Sequence, residues 1–170
     1  MKSAFLEPYY SGSHKYFADG FAKSFPEQIR LFTLQGRHWK WRMHGSAVTF
    51  AEMIEKSAEK FDTIIVSSLT DAALLKSLLL PEMPQTRFVA YFHENQLAYP
   101  WSENDKEPCK TDMHYAFINF TSALVSDLAL FNSEFNKESF FAALESFLRS
   151  FPDNRLTAKN FPEQKKNSLC

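Results

Sequence analysis

Short apolar runs alternate with amphipathic stretches along the chain. The run DTIIVSS, for example, is rich in β-branched residues, which is typical of a buried strand. The other apolar runs have similar lengths and are bounded by polar residues. Together these runs predict strands over residues 3–8, 28–34, 62–68, 86–93 and 127–133.

The stretches between the apolar runs carry apolar residues at helical spacing. Phe17, Phe21 and Phe25 recur at every fourth position, which places them on one face of a helix. Ser13 stands before them and is the expected cap of that helix. The same patterning predicts helices over 47–61 behind a Ser46 cap, 70–79, 111–126 and 133–151.

Strands that alternate with helices predict a mostly parallel sheet, because parallel neighbours need a crossover connection. The expected fold class is α/β, with a Rossmann-like three-layer sandwich of about five strands. In such sheets the ligand binds outside the carboxyl ends of the strands. The segments that leave those ends are therefore the candidate site.

Polar turns follow the first and the last predicted strand. Gly12 allows a tight turn at a helix start, where close approach of an anion is favoured. Asn132 or Ser133 could cap the last helix, and the amides beyond could bind a phosphate or a hydroxyl. At both turns, a cap without a ligand is the alternative. The candidate residues are Ser11, Gly12, Ser13, His14, Asn132 and Ser133.

The segment FHENQ offers four consecutive hydrogen-bonding side chains at the end of a predicted strand. His93 comes first and is able to titrate near neutral pH, so it is the candidate catalytic residue. Such a group of side chains suits a sugar or a phosphate. A capping turn with a structural histidine is the alternative. The further candidate binding residues are Glu94, Asn95 and Gln96.

Composition adds one unusual segment to this picture. The net charge is −1, so overall charge predicts no polyanionic partner. Residues 36–45, GRHWKWRMHG, nevertheless gather cations and indoles without an acid. Cations on phosphates and rings stacked on bases are typical of contacts with single-stranded nucleic acid. Carbohydrate stacking, or an extended strand with both indoles inward, are the alternatives. The candidate nucleic-acid contacts are Arg37, Trp39, Lys40, Trp41 and Arg42.

Other features exclude several classes of function. No run of about 20 apolar residues predicts a membrane span, and the first residues lack a secretory apolar region. Cys109 and Cys170 have no metal-binding spacing, so a reducing cytoplasm is the expected location. Neither G-x-S-x-G nor H-E-x-x-H occurs. We therefore predict no metal site.

Four segments, taken in chain order, resemble one family: YYSGSHKYFADG, HWKWRMHGSAVTFAE, YFHENQLAYP and LALFNSEFNKESF. They are similar to the N-terminal half of the tRNA-queuosine α-mannosyltransferases, which are related to the retaining GT-B glycosyltransferases. The resemblance extends from Ala4 to about Arg155. The Phe-His-Glu-Asn-Gln and Gly-Ser-His strings are its most specific parts.

The resemblance implies the N-terminal half of a GT-B fold. Residues 1–155 would form a Rossmann-like, acceptor-side domain, and 156–170 a linker or tail toward a missing C-terminal, donor-binding domain. The implied reaction moves mannose from GDP-mannose to queuosine in tRNA, without a metal ion or other cofactor. The chain alone is expected to be inactive, because the donor-binding domain is the other half of the enzyme.

The resemblance also suggests roles for the candidate residues. His93 would lie near the transferred sugar, and the SGSH turn and Asn132-Ser133 would line the cleft. The segment with Trp39 and Trp41 would contact tRNA. Two alternatives stay open. One is a GT-B enzyme that acts on a lipid or saccharide acceptor, and the other is a non-catalytic, single-domain binding module.

Overall fold

The computed structural model of the chain describes residues 1–99 and 113–152 as five strands and five helices. The strands are β1 Ser3–Tyr10, β2 Ile29–Gln35, β3 Thr63–Ser67, β4 Arg87–Phe92 and β5 Leu128–Phe131. The helices are α1 Gly12–Ser24, α2 Trp39–Ser57, α3 Ala72–Leu79, α4 Met113–Val125 and α5 Glu134–Arg149. The predicted domain end at 155 and the predicted tail over 156–170 lie outside the described residues.

The five strands form one parallel sheet in the order β2-β1-β3-β4-β5. The predicted α/β class with a parallel sheet is confirmed. The order changes direction at β1, because β2 adds on one side of it and β3 on the other. This is the switch point at which parallel sheets open a crevice beyond their carboxyl ends.

The helices cover the two faces of the sheet unequally. Phe5 of β1 contacts Phe17 and Phe21 of α1, which form one outer layer. The neighbouring β1 residues point the opposite way, as alternation along a strand requires. They join the main core cluster, to which α2, α3, α4 and α5 all contribute. The largest completely buried side chains are aromatic, and they include Phe50, Phe88, Phe92 and Phe140.

Helix α2 begins earlier than the sequence predicts. Residues 39–45, which precede the predicted helix over 47–61, form the first turns of α2, and Ser46 is buried inside the helix instead of capping it. Met43, Ala47 and Phe50 are completely buried at helical spacing, so core packing extends the helix toward its N-terminus. The alternative of an extended strand with two inward indoles is therefore wrong.

Smaller differences affect the other element ends. Ser11, not Ser13, is the N-cap residue of α1. Helix α3 begins after Asp71, whose carboxylate accepts the Leu74 N–H, so the predicted start at residue 70 is too early. The predicted cap at Ser133 is confirmed, since its hydroxyl accepts the N–H of Asn136 at 3.2 Å. Within the described ranges, no helix is long and apolar enough to cross a membrane.

Candidate functional site

The carboxyl ends of β1 and β4 bring four titratable side chains together. Glu7 lies on β1, and His14 lies in the first turn of α1, directly after that strand. His93 and Glu94 follow β4. The sequence predicts three of the four. It offers no signal for Glu7, because an acid inside an apolar run resembles an exposed strand residue.

Glu7 and Glu94 hold the His14 ring from both sides. Glu7 is completely buried, and its Oε2 atom lies 3.2 Å from His14 Nδ1. Glu94 Oε2 lies 3.3 Å from His14 Nε2. Both ring nitrogens therefore face carboxylates, which is the arrangement of an imidazolium that donates two hydrogen bonds.

The pKa values of His14 and His93 are shifted in opposite directions. Burial disfavours the charged form of His14, but hydrogen bonds and negative charge from Glu7 and Glu94 outweigh burial and raise the pKa of His14 to about 10. Burial, and then the charge on His14, lower the pKa of His93 below its ordinary value. At neutral pH, His14 is therefore charged and His93 is neutral.

His93 packs among rings but keeps one polar atom unpaired. Its ring meets Tyr91 edge to face at 4.8 Å and Phe17 at 5.0 Å between centroids. The His14 ring lies 4.4 Å away. In the part of the chain that the structure describes, the buried Nε2 atom of His93 has no hydrogen-bond partner. Since buried nitrogens are rarely left unpaired, this atom is suited to bind a ligand group.

Side-chain amides fix the segment after His93. Asn132 donates a hydrogen bond to the His93 carbonyl at 2.6 Å. Asn136 donates to the Phe92 carbonyl, and its Oδ1 atom accepts from Asn95. Asn95 and Asn132 thus hold the backbone of the candidate site. The sequence does not predict Asn136, because it resembles an ordinary polar residue of an amphipathic helix.

A further amide positions Gln96. The Gln96 N–H donates to Asn119 Oδ1 at 2.7 Å, while the Asn119 amide donates to the Ser68 carbonyl. Asn119 is completely buried on α4. A polar residue between Ile118 and Phe120, on an apolar helix, is the signal that could have identified it.

Two adjacent cavities collect most of the predicted binding residues. The larger one has a volume of about 310 Å³. The smaller one has a volume of about 250 Å³. Glu94, a predicted residue, and Tyr99, which the sequence does not predict, line both cavities. Further predicted residues that line the larger cavity are Ser13, His14, Trp39 and Gln96. Further predicted residues that line the smaller cavity are His93, Asn95, Asn132 and Ser133.

The turn from β1 into α1 depends on two glycines. Gly12 has a left-handed backbone (φ 51°), which favours glycine. Gly36 packs against Ser11 so closely that an added Cβ atom would lie 2.2 Å from the Ser11 Cβ. Ser11 makes no side-chain capping hydrogen bond. Ser11 and Gly12 lie at the helix start beside the cavity residues Ser13 and His14.

The side chains of the predicted nucleic-acid segment point to different sides of the protein. Trp39 lines the larger site cavity and packs 5.1 Å from Tyr115, with Lys40 over its ring. Trp41 is 78% exposed and lines a separate groove of about 620 Å³ together with Arg37 and Arg42. The separation follows from the helix, which turns by about 100° per residue and so directs close neighbours to different sides.

One group of side chains in the described ranges has the spacing of metal ligands. Atoms of Glu7, His14 and His93 all lie within 4.8 Å of one another. Both nitrogens of His14, however, face carboxylates, and its raised pKa keeps it protonated. A protonated imidazole has no free electron pair for a metal ion. The group therefore fits a hydrogen-bonded cluster better than a metal centre.

Similarity to known proteins identifies the family. A sequence profile described as "tRNA-queuosine alpha-mannosyltransferase N-terminal" matches residues 2–167. The chain belongs to the tRNA-queuosine α-mannosyltransferase family. This family is the one that the SGSH, FHENQ and FNSEF segments resemble.

A curated tRNA-queuosine alpha-mannosyltransferase of Drosophila melanogaster is 35% identical over 160 residues. The aligned region includes 94% of this chain but 40% of that relative. The chain therefore spans less than half of the length of this tRNA-queuosine α-mannosyltransferase. No solved structure shows a significant match to the chain.

Proposed function

We propose that the chain is the acceptor-side domain of a glycosyltransferase that moves mannose from GDP-mannose to queuosine in tRNA. The observation that carries this proposal is a neutral His93 at a strand end beside a polar cavity, whose Nε2 atom has no hydrogen-bond partner among the described residues. Family membership supports the type of reaction. The Drosophila melanogaster relative, a tRNA-queuosine alpha-mannosyltransferase, supports the acceptor.

The side chains around the two cavities suit a hydroxyl-rich ligand. Glu94 and Gln96 offer acceptors and donors, and Trp39 and Tyr99 offer ring faces. His93 would form a hydrogen bond to the transferred sugar or to the acceptor hydroxyl. In the reaction, the bond from the sugar to the diphosphate breaks, a bond from the sugar to the acceptor oxygen forms, and the hydroxyl proton leaves. A neutral imidazole within reach can take part in that proton transfer.

The groove with Arg37, Trp41 and Arg42 is the proposed contact with the tRNA backbone. The guanidinium groups supply charge for phosphates, and the exposed indole supplies a surface for stacking. Arg42 Nε and Ser46 Oγ line this groove and are buried without a partner among the described residues. Unpaired donors of this kind favour an anion as the natural occupant. The cytoplasmic location stays a prediction.

The donor and a C-terminal, donor-binding domain are part of the same proposal. No metal ion is assigned to the reaction, because GT-B enzymes can stabilise a leaving diphosphate with helix N-termini and basic side chains. The turn at Ser11 and Gly12 is the proposed contact of this domain with the donor or the acceptor. The chain alone is expected to bind the acceptor and not to transfer sugar.

The test is a transfer assay with labelled GDP-mannose and tRNA that contains queuosine. It compares the chain alone with the chain joined to the C-terminal part of the Drosophila melanogaster relative. We expect transfer by the joined protein and none by the chain alone. The same tRNA with guanosine in place of queuosine should accept no label.

His93→Ala in the joined protein should lower transfer by about 100-fold or more, with little change in the unfolding temperature. His114→Ala, a surface histidine of α4, is the matched control and should retain activity. Full activity of the His93 variant would refute its catalytic role. If the joined protein labels lipid or saccharide acceptors but not tRNA, the proposed acceptor is wrong.

A further inference from the structure

Glu7 is an ionisable side chain that is completely buried and has no part in the reaction as proposed above. Its two oxygens have different partners. Oε1 accepts the Tyr9 backbone N–H at 2.8 Å, and Oε2 faces His14 Nδ1 at 3.2 Å. A buried carboxylate is unfavourable unless charge and hydrogen bonds offset the loss of hydration. An apolar residue would fill this strand position without that cost, so Glu7 invites a functional explanation.

We propose that Glu7 is a positioning residue for His93 and that it acts through His14. The hydrogen bond at Nδ1 sets the rotation of the His14 ring, so that Nε2 reaches Glu94 and the ring packs on His93. The two rings lie 4.4 Å apart, at 42° between their planes. The inference rests on the role proposed for His93, but the geometry belongs to the described residues alone.

The backbone contact makes Glu7 suited to this task. Tyr9 N–H fixes one oxygen of the carboxylate, so the other oxygen points at His14 with little freedom. Tyr9 also meets the His14 ring edge to face at 5.9 Å. His14 is therefore held from β1 on one side and from Glu94 on the other. A histidine at a helix start, without such partners, would be free to rotate about its side-chain bonds.

The charge of Glu7 has a second consequence for His93. A protonated His14 at ring-contact distance disfavours a second positive charge on its neighbour. His93 then stays neutral and can accept or donate a proton at a ring nitrogen. Among the described residues, further titratable groups beside the pair are Tyr9 on β1, Tyr91 on β4 and Glu94 after β4. The residue that α1 adds on this side, Phe17, is uncharged.

The test is NMR of the chain itself, with its five histidines labelled with nitrogen-15. It needs no tRNA and no sugar donor, so failure of the proposed reaction cannot decide its outcome. Long-range spectra report the protonation of each ring nitrogen between pH 5 and pH 11, and His14→Gln and His93→Gln assign the two signals. We expect His14 to remain doubly protonated and His93 to remain neutral over most of this range.

Glu7→Gln keeps the length of the side chain and removes its charge. The titration midpoint of His14 should fall by at least about one pH unit, a tenfold loss of proton affinity. The midpoint of His93 should fall as well, because His14 stays protonated where His93 titrates, whereas the negative charge of Glu7, which raises the pKa of His93, is lost. Glu27→Gln, an exposed acid between α1 and β2, should move neither midpoint. If Glu7→Gln does not fold, Glu7→Asp keeps the charge but shortens the reach, and the His14 midpoint should again fall.

Two results would overturn the inference. One is a wild-type His14 that titrates near the ordinary histidine value, since it would then not be held by two carboxylates. The other is a folded Glu7 variant in which both midpoints are unchanged. Loss of sugar transfer in the joined protein, with unchanged midpoints, would also count against Glu7 as a residue that acts through His14.

Discussion

The rings of His14 and His93 are in contact, 4.4 Å apart between centroids, yet their environments are opposite. His14 lies between two carboxylates. His93 has a buried Nε2 atom without a partner in residues 1–99 and 113–152. The pair thus combines a fixed charge with an available nitrogen. The predictions below test this pair and the surfaces around it.

The first prediction concerns stability against pH. The pKa of His14 is raised to about 10 in the folded chain, so its stabilising contribution is complete below pH 6.5 and is lost as pH rises toward 10. We expect the free energy of unfolding to fall between pH 6.5 and 8.5 by on the order of 2 kcal/mol. Urea unfolding at several pH values measures it. His14→Gln should flatten this slope, and an equal slope in the variant would contradict the assignment.

The second prediction concerns the contact between Gly36 and Ser11. Gly36→Ala places a Cβ atom 2.2 Å from the Ser11 Cβ, so the turn before α1 must shift. We expect a loss of about 1–3 kcal/mol in unfolding free energy. Gly20→Ala is the matched control, because open space surrounds Gly20 within α1. That control should be neutral or stabilising by up to about 1 kcal/mol. Equal effects of the two changes would show that the close contact is absent.

The third prediction concerns the groove beside α2. Trp41→Ala should weaken binding of single-stranded RNA to the chain by about 1–3 kcal/mol, because one stacking surface is removed. Arg42→Gln should reduce the slope of log affinity against log salt concentration by about one, which corresponds to the loss of one phosphate contact. Fluorescence anisotropy with a labelled oligonucleotide measures both effects. Lys23→Gln is the control, because Lys23 lies in the last turn of α1 and does not line the groove. An equal loss of affinity in this variant would indicate non-specific binding.

The fourth prediction concerns the amide network below His93. Asn136→Ala removes the donor to the Phe92 carbonyl and the acceptor for Asn95. Each buried group left unpaired costs about 1–3 kcal/mol, so we expect a clear fall in the unfolding temperature. Sugar transfer should fall as well, because the backbone at Phe92, directly before His93, loses its support. Ser146→Ala, on an exposed part of α5, should change neither quantity.

The fifth prediction concerns metal removal. Dialysis of the joined protein against EDTA should leave transfer unchanged, because His14 directs both ring N–H groups to carboxylates and has no electron pair for a metal. The assay is repeated after Zn²⁺ or Mg²⁺ is restored. Activity that disappears with EDTA and returns with one ion would instead make Glu7, His14 and His93 a metal site.

Local patterns were enough to predict the strands, their parallel arrangement and three of the four titratable site residues. Apolar runs and helical spacing reflect burial on one face, which each element carries in its own sequence. Polar side chains directly after a buried strand indicate the end of a parallel sheet where ligands bind. His93 and His14 could therefore be selected without coordinates.

The start of α2 could not be predicted in the same way. Two glycines and a cluster of cations resemble a loop, and only the burial of Met43 shows that the helix continues through them. Trp39 and Trp41 consequently lie on different sides, one in the site cavity and one in the groove. Helix propensity is a weak preference that tertiary packing overrides.

The sequence by itself determined the α/β class, the family and the segments at the strand ends. Only the tertiary structure decided that Glu7 is buried against His14 and that Asn119 and Asn136 support the site backbone. It also decided that, within the described ranges, the buried Nε2 atom of His93 has no hydrogen-bond partner. The reason is physical. Element type follows from spacing along one segment, whereas pairing and protonation depend on groups that the sheet brings together from distant segments.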